Sequence, residues 1–246
     1  MIVVTNNEGT SGIPVTARLL AEGAAALDAV EAGIRLVEED ENVRTVGRGG
    51  WPNLLGEVEL DASVMDGTML RTGAVGALKG FLHPVSVARQ VLERLPHEFL
   101  VGEGAARFAA EIGAEAGELL MPHARDAWRR WFETEVGEDA RARWPDVPMA
   151  ELCRHAIDPE VGRDTTVFLA QDTRGDIAVG TSTSGWGWKV PRPPRRQPCD
   201  RRGRLCRHAL RRLRLHRGRG DDDPLRHSPG GGPLHEDGDG SGGCGR

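Results

Sequence analysis

One break in composition decides which part of this chain can fold. Residues 192–246 contain no Val, Ile, Phe, Met, Trp, Thr, Asn or Lys, and their apolar content is chiefly six Leu and one Ala. Such a segment buries too little to offset the entropy of ordering it, so it is expected to be a disordered Arg/Gly/Pro-rich tail. The same residues hold 14 of the chain's 32 basic and 7 of its 37 acidic side chains. They sum to +7 and leave residues 1–191 at −12, so the formal net charge of −5 describes neither part. The folded core must come from 1–191, where the β-branched and aromatic residues lie. Only Cys153 of the four cysteines falls there, which implies no disulfide framework. No apolar run reaches the length of a membrane span, and MIVVTNNEGT lacks the basic start and apolar stretch of a signal peptide. The expected location is cytoplasmic, with no membrane partner.

Periodicity supplies a coarse map of 1–191. IVVT (2–5) reads as a short buried strand before a polar turn. Residues 14–40 read as helix, split at Gly23, with Leu27, Val30, Ile34 and Val37 on the apolar face and Asp28, Glu31 and Glu38 off it. Four glycines and a proline make 46–58 a structured loop. Residues 60–67 resemble a strand ending in a turn, and 72–80 a segment of small residues. The spacing of Val87, Val91 and Leu95 predicts a helix ended by Pro96. Residues 98–102 read as strand, 103–116 as helix, and 120–163 as helix followed by a loose linker carrying Trp128, Trp131 and Trp144. TTVFLAQD (165–172) and IAVGTSTS (177–184) read as two strands joined by a tight turn at TRGD.

A threonine opening a strand is unremarkable alone, since threonine favours strands. The combination is not: Asp164-Thr165 follows a polar linker, and GTSTSGW (180–186) stands one hairpin later. This arrangement resembles the N-terminal nucleophile hydrolases of the glycosylasparaginase and isoaspartyl peptidase/asparaginase family, whose precursors cut themselves before a threonine in HDTIG…GTSTNGW…GRVGDSP. The resemblance extends through ALDAVEAG (26–33), 46–67, GAVGALKG (73–80) and 87–109, in the family's order. It implies an α/β fold, a four-layer αββα sandwich. Residues 1–164 would be its α-chain, 165–191 the start of its β-chain, and 192–246 an aberrant tail that leaves the sandwich incomplete.

The resemblance also implies a chemistry. A threonine hydroxyl needs a base within hydrogen-bond reach. Cutting between Asp164 and Thr165 frees the α-amine of Thr165, with an ordinary pKa of about 7.7–8.0, so one residue supplies nucleophile and base. Thr183 would hydrogen-bond and orient that nucleophile. The implied reaction is hydrolysis of the side-chain amide of a small aspartyl compound, requiring no cofactor or metal. DTTV and GTSTSGW lean toward N4-(β-N-acetylglucosaminyl)-L-asparaginase, with isoaspartyl peptidase/L-asparaginase as the alternative. The family's early strand often ends in a Trp, as in NTW, where this chain has TNNEG. Homo-oligomers of αβ units are the family's expected assembly.

After Pro191 the family continues with GRVGDSP, whose Arg and Asp grip the substrate's α-carboxylate and α-amine, and later with a TG pair for the oxyanion. Here Pro193 and Arg196 occupy the places of that Arg and Asp. Read one base on, codons for the tail permit GRLGDSPVIGAGG and, further along, ACTGAGE, so the tail reads as a shifted frame. On that reading the chain as written has little or no hydrolase activity. Two other readings treat the tail as functional. An arginine-rich nucleic-acid-binding segment is disfavoured by the lack of stacking aromatics and by Asp221, Asp222 and Asp223. A zinc site of Cys199, Cys206, His208 and Cys244 fits no standard spacing.

Overall fold

The computed structural model describes residues 1–156 and 165–191. The tail, the four residues of the zinc reading, Pro193, Arg196 and Asp164 all lie outside the described residues. The element order is β1 (Ile2–Thr5), α1 (Ile13–Ala21), α2 (Ala26–Glu39), β2 (Leu60–Asp66), β3 (Arg71–Leu78), α3 (Pro84–Arg94), β4 (Phe99–Val101), α4 (Glu103–Glu111), α5 (Pro122–Thr134), α6 (Glu138–Arg143), α7 (Met149–Leu152), β5 (Thr166–Gln171) and β6 (Ile177–Thr183).

The six strands form one sheet in the order β1-β5-β6-β2-β3-β4, antiparallel except for the β3–β4 pair. The predicted hairpin of β5 and β6 thus occupies the middle of the sheet. Of the small-residue segment 72–80, residues 72–78 lie in strand β3, because their small side chains let α3 lie directly on it. A Cβ at Gly73 would overlap the Ala88 carbonyl and crowd the backbone of Leu92. At Gly180, in β6, a Cβ would crowd Val30 and Ile34 of α2.

Val30, Ile34 and Val37 of α2 are buried against Phe168, Ala170 and Ala178, and Val87, Val91 and Leu92 of α3 join the same core. Ala105 and Ala109 of α4 complete it. Helix α4 stops earlier than its alanine run predicts, since Gly113 takes φ +70, the left-handed conformation that closes a helix C-terminus. The opposite face of the sheet carries Met65, Val167, Leu169, Ile177 and Val179. The described residues therefore give a mixed α/β fold with one sheet and a layer of helices on it.

The stretch expected to be helix and linker instead folds, as far as residue 156, into α5, α6 and α7 around an aromatic cluster. Trp128 stacks on Phe132 with ring centroids 5.1 Å apart, and Trp131 stacks on Trp188 at 5.6 Å. Five of the six tryptophans belong to this cluster, through Trp51 and Trp144 as well.

Two helix N-termini are capped from other elements. The N-cap of helix α2, Ala25, has no side chain able to cap it, and the Ala26 N–H donates to Asp172 Oδ2 at 3.3 Å from the β5–β6 turn. Helix α3 likewise has no side-chain cap, and the Val85 N–H donates to Glu38 Oε1 at 3.1 Å. This explains why Glu38, placed off the apolar face by periodicity, is fully buried.

Candidate active site

The site stands where β5 and β6 reach the same end of the sheet. Thr166 pairs with Ser182 in register, which sets Thr165 and Thr183 on the next rung, with side chains on one face. Neighbours on such a rung have Cβ atoms about 4.5–5.5 Å apart, close enough for two hydroxyls to interact. Asp61 of β2 is the register partner of Thr183 on its other side, and its Oδ1 accepts the Ala77 N–H at 2.9 Å.

Asn6, the residue after β1, fixes the start of β5. Its Nδ2 donates to the Thr165 carbonyl at 2.8 Å, and its Oδ1 accepts the Val167 N–H at 3.2 Å. The amide extends the sheet's hydrogen bonding one residue beyond the strand and holds the Thr165 backbone. That is a use for the TNNEG departure from the NTW pattern.

Thr183 is buried, and its hydroxyl is already engaged twice. Its Oγ1 accepts the Gly185 N–H at 2.8 Å and donates to the Thr45 carbonyl at 3.2 Å. The first bond is a local Thr turn, and Gly185 at φ +77 completes the reversal that ends β6. A hydroxyl has one donor and two acceptor lone pairs, so Thr183 retains a single lone pair. It can therefore accept a hydrogen bond from a neighbouring hydroxyl or amine, and its own proton is spent.

The loop between α2 and β2 supports this turn. The Thr45 carbonyl accepts the Ser184 N–H at 2.8 Å as well as the Thr183 hydroxyl. Gly50 packs so closely on Ser184 that a Cβ there would overlap its hydroxyl. The Trp188 N–H donates to the Pro52 carbonyl at 3.0 Å, and the Leu54 N–H to the Lys189 carbonyl at 2.9 Å. The aromatic cluster thereby anchors both sides of the Thr183–Gly185 turn. Burial, and then the Arg44 cation beside it, hold the His123 imidazole below its ordinary 6.5.

A family model described as asparaginase matches residues 10–192. The chain belongs to the asparaginase family. It is 36% identical over 173 residues to an N(4)-(beta-N-acetylglucosaminyl)-L-asparaginase of Elizabethkingia miricola, covering 70% of this chain and 46% of that protein. It is 35% identical over 187 residues to the Mus musculus protein of the same name, covering 70% and 54%. A probable isoaspartyl peptidase/L-asparaginase of Drosophila melanogaster is 38% identical over 174 residues, covering 69% and 51%. The chain thus spans about half the length of the curated relatives it matches.

In this member of the asparaginase family, the two sequence-predicted threonines come to the same end of the central strand pair. Sequence reasoning missed Asn6, Thr45 and Asp61. Thr45 acts through its backbone carbonyl, which leaves no sequence signal, and the Asn6 side chain binds backbone groups about 160 residues away, which no local pattern reports. Asp61 could have been found as a carboxylate inside the apolar run LDASVM. Among the described residues no cluster of His, Cys, Asp and Glu is placed to hold a metal, and no helix is long and apolar enough to cross a membrane.

Proposed function

We propose that residues 1–191 belong to an N-terminal threonine amidohydrolase that cuts itself before Thr165 and then hydrolyses the side-chain amide of small aspartyl compounds. The observation that carries this reading is the single lone pair left on Thr183 Oγ1, which faces Thr165 across one rung of the ladder. In the first reaction the Thr165 hydroxyl attacks the carbonyl carbon of Asp164. The C–N bond breaks, the nitrogen takes the hydroxyl proton, and water hydrolyses the resulting ester. The products are an α-chain, 1–164, and a β-chain starting at Thr165 with a free α-amine.

In the second reaction that amine takes the proton from Thr165 Oγ1, which attacks the substrate's side-chain carbonyl carbon. The leaving amine departs with the proton, and water, deprotonated by the same α-amine, releases aspartate from the ester. Before the cut Thr183 accepts a hydrogen bond from the Thr165 hydroxyl and aims it; after the cut, when that proton goes to the α-amine, the same lone pair is open to an N–H of the amine. We assign the substrate to the N4-(β-N-acetylglucosaminyl)-L-asparagine class, supported by the names of two of the relatives above. Isoaspartyl peptides and L-asparagine form the second reading, favoured by Asn6 and Asn7 standing where the family carries an aromatic. The cut pieces would remain one αβ unit, and such units would associate as in the family.

The test is a denaturing gel of the expressed chain. Two pieces divided before Thr165, absent from Thr165→Ala and retained by Thr165→Ser, support the proposal. The same two pieces appearing undiminished in Thr165→Ala overturn it. For 192–246 we keep the shifted-frame proposal. Sequencing the gene across codon 192 tests it, and an in-frame, verified tail refutes it.

A further inference from the structure

Behind β6, on the face opposite Thr183, lies a buried polar group that the reaction above does not use. Glu38 at the end of α2 and Ser182 of β6 are fully buried, and His83 before α3 is 5% exposed. Oε1 of Glu38 is spent on the Val85 N–H. Its Oε2 stands 3.7 Å from His83 Nδ1, with the Ser182 hydroxyl beside the same carboxyl. Glu38 Oε2, His83 Nδ1 and Ser182 Oγ are all sealed from solvent and lack a hydrogen-bond partner among the described residues. Buried polar atoms are nearly always paired, so three orphans gathered at one carboxyl mark a functional arrangement. The other ring nitrogen faces outward: Nε2 lies 3.1 Å from Glu39 Oε1 and 3.5 Å from Glu115 Oε2, both on exposed side chains. Those carboxylates only accept, so Nε2 carries a hydrogen and Nδ1 is left to share one with Glu38. Among the described residues, Glu38, Glu39 and Glu115 are the charged groups facing the ring, and His83 is the one facing Glu38.

Hydroxyl groups connect this place to the start of β5. Ser182 is the register partner of Thr166, both on the α2 face of the sheet, and such neighbours have Cβ atoms about 4.5–5.5 Å apart. The Thr166 hydroxyl donates to Asn6 Oδ1 at 3.5 Å, and Asn6 Nδ2 donates to the Thr165 carbonyl at 2.8 Å. With a proton on Glu38, Oε2–H donates to Ser182, Ser182 to Thr166, and Thr166 to Asn6. When that proton leaves, the carboxylate only accepts. Ser182 then turns its hydrogen toward Glu38, and Thr166 donates to Ser182 in place of Asn6. Asn6 Oδ1 is left with the Val167 N–H, and its grip on the Thr165 backbone loosens.

We infer that His83, Glu38 and Ser182 hold one shared proton behind β6 and through it position Asn6 on the Thr165 backbone. All three are positioning residues, acting through Thr166 and Asn6 rather than on the substrate. This rests on the proposed function and adds a control to it. Glu39 and Glu115 put His83 in contact with solvent, so pH sets how firmly the nucleophile's backbone is held.

The experiment uses the full chain carrying Thr165→Ala, so that no freed α-amine enters the titration. NMR signals of the His83 ring and the Asn6 side-chain amide are followed from about pH 5 to 8, where histidine titrates. The expected result is that the Asn6 signal shifts with the midpoint of His83. Ser182→Ala and Thr166→Val each break the relay and leave the charges in place. In both, His83 should still titrate and the Asn6 shift should be lost, and either variant serves if the other does not fold. Glu38→Gln keeps an acceptor for Val85 but has no proton to release, and it should also leave Asn6 unmoved. The inference is overturned if Asn6 does not follow His83 in the Thr165→Ala chain, or still follows it in the added variants. In chains that keep Thr165, the rate of cutting on a gel should change at the same midpoint and lose that step in Glu38→Gln. A chain that never cuts counts against the nucleophile proposal, while the Asn6 signal still decides the relay.

Discussion

Replacing Thr183 by valine removes one hydroxyl and leaves the outline of the side chain unchanged. The Gly185 N–H loses its acceptor in a buried turn, which costs about 1–3 kcal/mol. The Thr45 carbonyl keeps the Ser184 N–H at 2.8 Å, so the second lost bond adds only about 0.5 kcal/mol. Valine returns part of this through one more buried methyl group, on the order of 1 kcal/mol. The balance is a destabilisation of about 1.5 kcal/mol, or a melting point lowered by roughly 3–6 °C in a chain of this size. Circular dichroism melts in a Thr165→Ala background measure it without interference from cutting. With Thr165 present, the valine variant also lacks the acceptor for the nucleophile's proton and should cut about 10- to 100-fold more slowly. Thr183→Ser keeps both hydrogen bonds, loses about 1 kcal/mol of methyl burial, and should cut like the parent. A valine variant that melts within about 1 °C of its parent, or cuts as fast, refutes the hydrogen-bond inventory on which the site is built.

Two buried carboxylates predict opposite pH dependences. Burial raises the Glu38 carboxyl above 4.5, against the opposing pull of His83, Ser182 and the Val85 N–H; Glu39 and Glu115 face His83 from its other side. A raised carboxyl binds its proton more tightly when folded, so its contribution to stability is full below the ordinary value and lost as pH rises above it. Glu38→Gln, which keeps an acceptor for Val85, should gain stability relative to the parent as pH rises from 4 to 7 in urea titrations; a constant difference would refute this. Asp172 behaves conversely: burial alone would raise it, but Arg174 and the backbone N–H groups of Asp176, Arg174 and Ala26 hold it below 3.8. Its contribution is full above that value and lost as pH falls through the lowered one. Asp172→Asn should therefore lose about 1–2 kcal/mol at pH 7 and show a flatter acid limb, checked by the same titrations.

The central hairpin was legible because β5 alternates strictly, with Thr166, Phe168 and Ala170 inward and Val167 and Leu169 on the other face. Helix α2 was legible because Val30, Ile34 and Val37 repeat along one face. Residues 72–80 hid a strand because glycine and alanine carry weak strand propensity. Only the overlying α3 makes their small size an advantage, and that contact joins residues distant in sequence. Glu38 was misplaced for a related reason, since its partner, the Val85 N–H, lies 47 residues away. At the site, Thr165 and Thr183 could be singled out by motif. Asn6 reaches backbone groups of a strand distant in sequence and Thr45 acts through its carbonyl, and periodicity reports neither.

The order of strands in the sheet sets the schedule of synthesis. Strand β1 leaves the ribosome before the other five described strands, yet its partner in the sheet is β5, and β5 pairs in turn with β6. A nascent chain that has reached only residue 156 has β2, β3 and β4 available for pairing, with β1 held in waiting and a two-strand gap between them. The sheet closes when residues 166–183 thread into that gap, forming contacts of long sequence separation late in folding. Any peptide-bond chemistry at the start of β5 must therefore follow release of most of the described chain. The same insertion holds β5–β6 by ladders on both sides, so hydrolysing the backbone before Thr165 would sever the covalent link and leave the sheet whole.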